Sequence, residues 1–525
     1  MPPALYKKIG IASAIMMASV FLSRVIGLFR EMAIAFAGGA GGDVDAYQIA
    51  FVVPEILNHV AASGFLSITF IPIFSDYLAD KNEEEGWRVF SLIMTCFGAI
   101  LIFFIIAAVL FAPELVSAIA PGLKDPVIFS KAVRMTRIIL PAQFFFFSGG
   151  LFMAVQFAKE CFFIPALAPL LYNLGIIAGG MLLGPYIGME AFSWGVLGGS
   201  FIGNFVLQYR GAKKCGMKYK LSFDFRHPAF KKYLFLTLPL MLGLTMTFST
   251  EFFLKFFGSF MPGGSIAALN YGLRIMFILV GLFGQAVGMA AYPFMARLAA
   301  ERKLEEMNRL LNDTLRGLSV VVPFSVLAMV LRHEIVLIIF QRGRFDAAAT
   351  ELTSGILVFL LAGTFAFAAQ TVVVRGFYAM QNTLFPAVFG TMAVIISIPL
   401  FYYGMKIMGV NGIALALSLS AFLQVVILYA LWNRRSRNIY SRDVYLFFVK
   451  ICAISAVMGV LLEWFKRMFL DVFDVTSFSG CILMAAFLSA LFSAVFVSAG
   501  YIFRIKEITD IAGRIAEKLK KTALF

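Results

Sequence analysis

The sequence predicts an all-α polytopic membrane protein with about fourteen transmembrane helices, built as two parallel six-helix lobes followed by two further helices. Three observations predict it: an apolar composition, a succession of long apolar segments, and a weak internal repeat. Of 525 residues, 61% are hydrophobic and 14% are charged. A soluble chain runs nearer about 45–50% apolar and about 25% charged. The excess suits a bundle whose outer surface faces lipid, because a single soluble core has no use for it. The 44 glycines and 25 methionines suit close helix packing and adaptable cavity walls.

Spanning the hydrocarbon takes roughly 20 apolar residues in a helix. On that rule the candidate spans are 11–36, 47–77, 88–112, 131–158, 163–184, 190–209, 233–258, 266–296, 313–332, 351–380, 384–405, 409–432, 446–468 and 476–503. The first is expected to be an uncleaved helix, since no small-residue cleavage site follows a short apolar core. Residues 504–525 are charged and amphipathic, and are expected to lie along the membrane surface.

Net charge is +15. No soluble basic domain accompanies it, which argues against a nucleic-acid partner. The charge instead follows topology. One set of loops holds Lys7, Lys8, Lys81, Arg88, Arg210, Lys213, Lys214, Arg297, Arg302, Lys303, Arg434, Arg435 and the basic tail. The alternate loops, such as GGAGGDVD, PYIGME and GSFMPGG, are short, Gly-rich or acidic; the exception is QRGRFD around Arg342 and Arg344. This bias places both termini in the cytoplasm. Cys96, Cys161, Cys215, Cys452 and Cys481 form no CxxC pair, and most read as small buried hydrophobes.

The repeat comes from four pairs in the same order, each offset by about 220 residues. Gly41-Gly42 matches Gly263-Gly264, and the two segments they open end near Pro72 and Pro293. FIPA at 163–166 matches LFPA at 384–387. Gly195 to Gly198 ahead of Gln208 matches Gly409 to Gly412 ahead of Gln424. Six spans per unit keep both units in one orientation. The expected organisation is therefore lobes at 1–215 and 216–440, two additional helices within 441–503, and a cytoplasmic tail at 504–525.

Charges inside an apolar span are costly, and are candidates for function by default. The first span carries Arg24, Arg30 and Glu31 in SRVIGLFRE. Arg24 and Glu31 are seven apart and share a face, with Arg30 about 100° away. Arg30 and Glu31 could equally pair for packing alone. The second span carries Glu55, Asn58 and His59. A carboxylate beside a histidine suits a proton relay or a cation, or simply a satisfied polar cluster. Arg274 stands alone in LNYGLRIMF, with Gln285 eleven residues on and on the same face. Glu251 and Lys255, four apart, read as an ion pair. Arg375 near a span end is explained equally by snorkelling. Arginines suit phosphate, because guanidinium forks meet its oxygens bidentately and stay charged. A cavity lined by Arg24, Arg30 and Arg274 would suit a pyrophosphate.

These residues bring a family into view. SRVIGLFRE, GGDVDAYQIAFVVPEIL and SGFLSITFIPIFSDY resemble the start of the MurJ/MviN lipid II flippases, and IAPGL, FAKECFFIPALAPLLYN, FQRGRFD and RGFYAMQNTLFPA continue the likeness from about residue 10 to 435. The resemblance implies the fourteen-helix fold of the multidrug/oligosaccharidyl-lipid/polysaccharide exporters. It implies export of undecaprenyl-pyrophosphate-linked peptidoglycan precursor by alternating access, in the service of cell-wall biogenesis and cell shape. The family's arginines match Arg24, Arg30 and Arg274, its acidic partner matches Glu31, and its loop aspartate matches Asp45. The extra two helices would form a groove for the polyprenyl tail. Two positions depart from the pattern: Asn58 beside His59 stands where the family often has arginine, and Phe277 where it often has a polar residue.

The nearest alternative is a flippase for another polyprenyl-linked oligosaccharide, such as an exopolysaccharide or O-antigen unit. An enzyme is disfavoured, because His59, His227 and His333 lack metal-ligand spacing and no Walker, GxSxG or HExxH motif occurs. Without an ATP site, the driving force is expected from a coupling ion, Na⁺ or H⁺, or from the membrane potential. The expected partners are the polyprenyl-pyrophosphate-linked sugar and membrane lipids, with the chain acting as a monomer in the bacterial inner membrane.

Overall fold

The computed structural model describes residues 3–61, 69–224, 226–242, 245–470, 473, 477–505, 507–509 and 513; the side chains of 3–9, 12–13, 59–61, 236–242 and 245–248 are not among those described. Every regular element among the described residues is a helix, and helices occupy the expected spans. Eight are long and apolar enough to cross a bilayer by length and composition, and the bent pair Ala347–Ala362 and Thr364–Ala379 makes a ninth. This is an all-α polytopic membrane protein. Most of the tail at 504–525 lies outside the described residues.

Two compact units emerge, residues 1–267 with 342–345, and residues 268–341 with 346–525. In the first unit, helix Pro3–Gly38 has 36 residues, which is about 54 Å at 1.5 Å per residue and ample for a bilayer. It ends where Gly39 turns left-handed at φ 64. The backbone of Arg344 docks there, its N–H donating to the Phe36 carbonyl at 2.9 Å. The basic QRGRFD loop thus closes the end of this helix.

The expected single span at 47–77 is not continuous. Among the described residues it is interrupted at Phe51, between Gly42–Ala50 and Val52–Ala61, and its far end is Ile71–Ala79. Phe51 interrupts the first two, and Pro54 follows within one turn, where it cannot supply an N–H to a continuing helix. Helix Glu83–Leu110 is started by Asn82, whose side chain accepts from the Glu85 amide, and by three acids in the first turn. Outside the membrane span, the Glu83 carboxylate accepts from Lys159 and from the Trp87 indole. The Lys159 bond holds its carboxyl below the usual range.

Helices Phe163–Ile187 and Glu190–Ser200 are joined by Gly188 at φ 63, ψ −142. Their backbones approach through Gly175 and Gly179 on one helix and Gly195 and Gly199 on the other, leaving no room for a side chain between them. Gln156 donates to Gln208 at 3.1 Å and fixes the return of the chain.

The second unit repeats several of these devices. Helix Leu384–Ser436 is broken at Gly409, φ 58 and ψ −131, as Gly188 breaks the first unit, so the backbone pairs Gly409 with Gly188 and not with Gly195 as the sequence pattern suggests. Gln370 donates to Gln424 at 2.7 Å, as Gln156 does to Gln208. Left-handed residues recur in register: Lys81 and Arg302, Glu160 and Gln381, Gly188 and Gly409, Gly216 and Arg437, the later of each pair lying 221 residues on, as 302 does from 81. A repeat faint in side chains is thus sharp in backbone conformation. Helices Ser441–Met468 and Phe478–Ile502 pack within the second unit, their Met458, Leu462, Met484, Leu488 and Phe492 sharing one core with Val320, Val330 and Leu331.

Two expectations need correction. Counting α-helical turns puts Gln285 on the face of Arg274. Between them, Val280–Gln285 winds as a π-helix, which takes more residues per turn and carries Gln285 away from that register. Of the five cysteines, Cys96 and Cys481 are buried, but Cys161 is exposed and Cys215 and Cys452 are half-buried. Cys161 and Cys215 sit at helix ends rather than within packed apolar faces.

Candidate functional site

The first helix brings Arg30 and Glu31 into the interior of the first unit. Arg30 Nη2 bonds Glu31 Oε1 at 2.6 Å, and Arg30 Nη1 donates to Asn173 Oδ1 at 2.9 Å. The Glu31 side chain is 4% exposed and that of Arg30 21%. Asn173 is itself held. Its Nδ2 donates to the Pro169 carbonyl at 3.0 Å and to Ser23 Oγ at 3.4 Å. Ser19 Oγ adds a bond to the Ala166 carbonyl one turn away. The guanidinium is therefore fixed by a carboxylate and an amide that are fixed in turn, with N–H groups left over and some accessible surface. A fixed, partly open guanidinium in an apolar span is preorganised to take an anion. Tyr172, next to Asn173, lies within electrostatic reach of Arg30, Glu31 and Glu55.

Arg24, one and a half turns earlier, is exposed. It shares the helical face of Glu31, yet only Glu31 is covered by neighbouring helices. Asp45 is almost fully buried. Its Oδ2 accepts from the Gly264 amide at 2.5 Å and its Oδ1 from the Ala267 amide at 2.7 Å. It thereby satisfies donors at the start of helix Ser265–Leu279 that would otherwise be orphaned. Gly264 stands at φ 92, where a β-carbon would overlap the Ala40 carbonyl, so the amide can reach Asp45 only with glycine there.

In the second span, Glu55 and Asn58 are half-buried on helix Val52–Ala61, and the His59 side chain lies outside those described. Glu55 meets a partner that sequence spacing did not indicate. Lys255 Nζ lies 3.8 Å from its carboxylate and 3.3 Å from that of Glu251. The pairing of Glu251 with Lys255 is the expected one; the third member joins from 200 residues away. Asn173 was likewise not singled out, although a lone amide within the apolar run of FAKECFFIPALAPLLYN was a signal that could have marked it.

Arg274 belongs to the second unit, half-buried on helix Ser265–Leu279 one turn before Phe277, whose ring meets Phe367 edge-on at 5.7 Å. Arg375, also there, donates from Nη1 to the Gln285 carbonyl at 3.4 Å. The structure thus brings Arg30, Glu31 and Asn173 together, and Glu55 with Lys255 and Glu251, within one unit. Among the described residues no group of three His, Cys, Asp or Glu is placed to hold a metal.

The family model for "Lipid II flippase MurJ" matches residues 33–484. A "Probable lipid II flippase MurJ" from Buchnera aphidicola subsp. Baizongia pistaciae is 27% identical over 456 residues, 86% of this chain and 88% of that one. A solved structure described as "Lipid II flippase MurJ, inward closed conformation" is 24% identical, with a TM-score of 0.73 over 92% of this chain and 98% of that chain. An inward-facing multidrug resistance MATE family transporter of the MOP superfamily shares the fold, at 11% identity and a TM-score of 0.66 over 80% of this chain. A family match across so much of the length, on the same fold, settles the membership: the chain belongs to the lipid II flippase MurJ family.

Proposed function

We propose that this chain moves lipid II, the undecaprenyl-pyrophosphate-linked peptidoglycan precursor, from the inner to the outer leaflet of the cytoplasmic membrane by alternating access. It does so as a transporter and not as an enzyme. The observation that carries the reading is Arg30: a guanidinium inside an apolar span, locked by Glu31 and Asn173 yet still partly accessible. On the insertion scale an arginine at a helix centre costs about 2.5–3.5 kcal/mol. Its bonds to Glu31 on the same helix and to Asn173 on helix Phe163–Ile187 offset part of that, and a diphosphate supplies the remaining acceptors.

In this reading Arg24 adds positive charge for the diphosphate, Arg274 is a further substrate contact, and Asn58 and His59 are polar contacts for the sugars. Glu31 positions Arg30. Asp45 holds the backbone from which helix Ser265–Leu279 starts. The chain acts as a monomer with both termini in the cytoplasm, and draws its energy from a coupling cation or the membrane potential.

The test is rescue of cells depleted of their own lipid II flippase. Wild type should restore growth, while Arg24→Ala and Arg274→Ala should not, with both variants present in the membrane at wild-type level. Normal growth with both variants would remove the arginine assignment. Failure of wild type to rescue, with transport of another polyprenyl-linked oligosaccharide instead, would transfer the function to that substrate.

A further inference from the structure

One charged cluster is left unused by that reading. Glu55, Glu251 and Lys255 meet inside the first unit, two carboxylates around one ammonium. Their burial is unequal: the Lys255 side chain is 2% exposed, against 36% for Glu55 and 24% for Glu251. The distances are unequal too. At 3.3 Å Lys255 belongs first to Glu251. At 3.8 Å its contact with Glu55 is an ion pair beyond hydrogen-bond range. Glu55 is therefore the less compensated carboxylate and the more accessible one.

The packed helices carry both signs: Val52–Ala61 also meets Pro126–Ile139, which carries Lys131, Arg134 and Arg137, of which Lys131 pairs with Asp43 and Arg134 with Glu190. Helix Thr245–Gly258, which carries Glu251 and Lys255, packs against Val52–Ala61, which carries Glu55, and against Ala112–Ile119, which carries Glu114. Tyr172, on helix Phe163–Ile187, lies within electrostatic reach of Glu55 as of Arg30 and Glu31. His59, on the helix of Glu55, has a side chain outside those described. Ionisable groups placed this way within a membrane span mark proton and ion routes.

We propose that Glu55 is the proton-accepting residue of transport, with Lys255 as its switchable counter-charge. The proposal rests on the transport reading above and names its coupling cation. One proton from the aqueous phase adds to the Glu55 carboxylate and gives a neutral acid. The attraction to Lys255 is then lost, the ammonium pairs wholly with Glu251, and helix Val52–Ala61 is released from helix Thr245–Gly258. Loss of the same proton on the opposite side restores the pair.

Two measurements on the full chain separate this step from the transport reading. The first is infrared difference titration of the purified protein without substrate, wild type against Glu55→Gln, across the pH range in which both stay folded. Wild type should gain a carboxylic-acid carbonyl band that is absent in Glu55→Gln, retained at a shifted midpoint in Glu55→Asp, and unaffected by sodium at constant ionic strength. A wild-type spectrum without the band, the same band in Glu55→Gln, or displacement of the band by sodium would overturn the proposal.

The second uses proteoliposomes loaded with a pH-sensitive dye, to which lipid II is added. Proton movement should accompany flipping by wild type. The flipping rate should change about tenfold across two pH units for wild type and about twofold or less for Glu55→Gln. Flipping by wild type that moves no protons, or an unchanged pH profile in Glu55→Gln, overturns the proposal while leaving transport intact. A titrating Glu55 in a protein that flips no lipid II overturns both the transport reading and the coupling built on it.

Discussion

Asp45 accepts two backbone amides on one buried carboxylate, and the two bonds differ by only 0.2 Å in length. Asp45→Asn keeps one acceptor oxygen and turns the other into a donor facing an N–H. We expect this to cost about 1–3 kcal/mol, read as a lower unfolding midpoint in detergent, with protein still inserted in the membrane. An unchanged midpoint would show that the amides do not depend on the carboxylate. The adjacency of Arg30 and Glu31 made their pairing readable from sequence. The Asn173 contact was not, because it joins residues 143 positions apart and only the packing of two helices creates it. The Glu55–Lys255 contact was hidden for the same reason. Periodicity gives the face a residue occupies on its own helix, and says nothing of which distant face it meets.

Among the elements, Gly188 offers a test free of steric contact, since a β-carbon there would meet nothing within 4 Å. Its φ 63, ψ −142 is nonetheless a region reserved almost wholly for glycine. Gly188→Ala should cost about 1–3 kcal/mol through backbone strain alone, again read as an unfolding midpoint; no change would mean that the turn relaxes freely. A second element is held by charge. Lys466 bonds Glu334 at 2.8 Å and the Val330 carbonyl at 2.7 Å, joining helix Ser441–Met468 to helix Arg332–Phe340, with Glu334 at 1% exposure. Lys466→Met strands a buried carboxylate and should cost about 3–5 kcal/mol, whereas Lys466→Met with Glu334→Leu should recover most of it. A double variant as unstable as the single would contradict this. Helix positions were legible from apolar run length. The broken span at 47–77 and the π-segment Val280–Gln285 were not. Both leave hydropathy unchanged and alter only hydrogen-bond register, to which composition is blind.

For the molecule as a whole, the membrane fold could be read because its cause is compositional: lipid imposes apolar residues and internally satisfied backbone on every span. The repeat could be read only dimly in side chains, and is plainer in the left-handed residues that recur 221 positions on. Function was legible through arginine chemistry together with motifs of a family to which the chain belongs. The claim on which transport depends is that a bidentate guanidinium at position 30, and not positive charge alone, grips the diphosphate. The direct measurement is transfer of fluorescent lipid II across proteoliposome membranes by wild type and by Arg30→Lys at equal protein density. Lysine keeps the charge but loses the planar fork that meets Glu31 and Asn173 together. Transfer should fall by roughly tenfold or more in Arg30→Lys; transfer at the wild-type rate would contradict the claim.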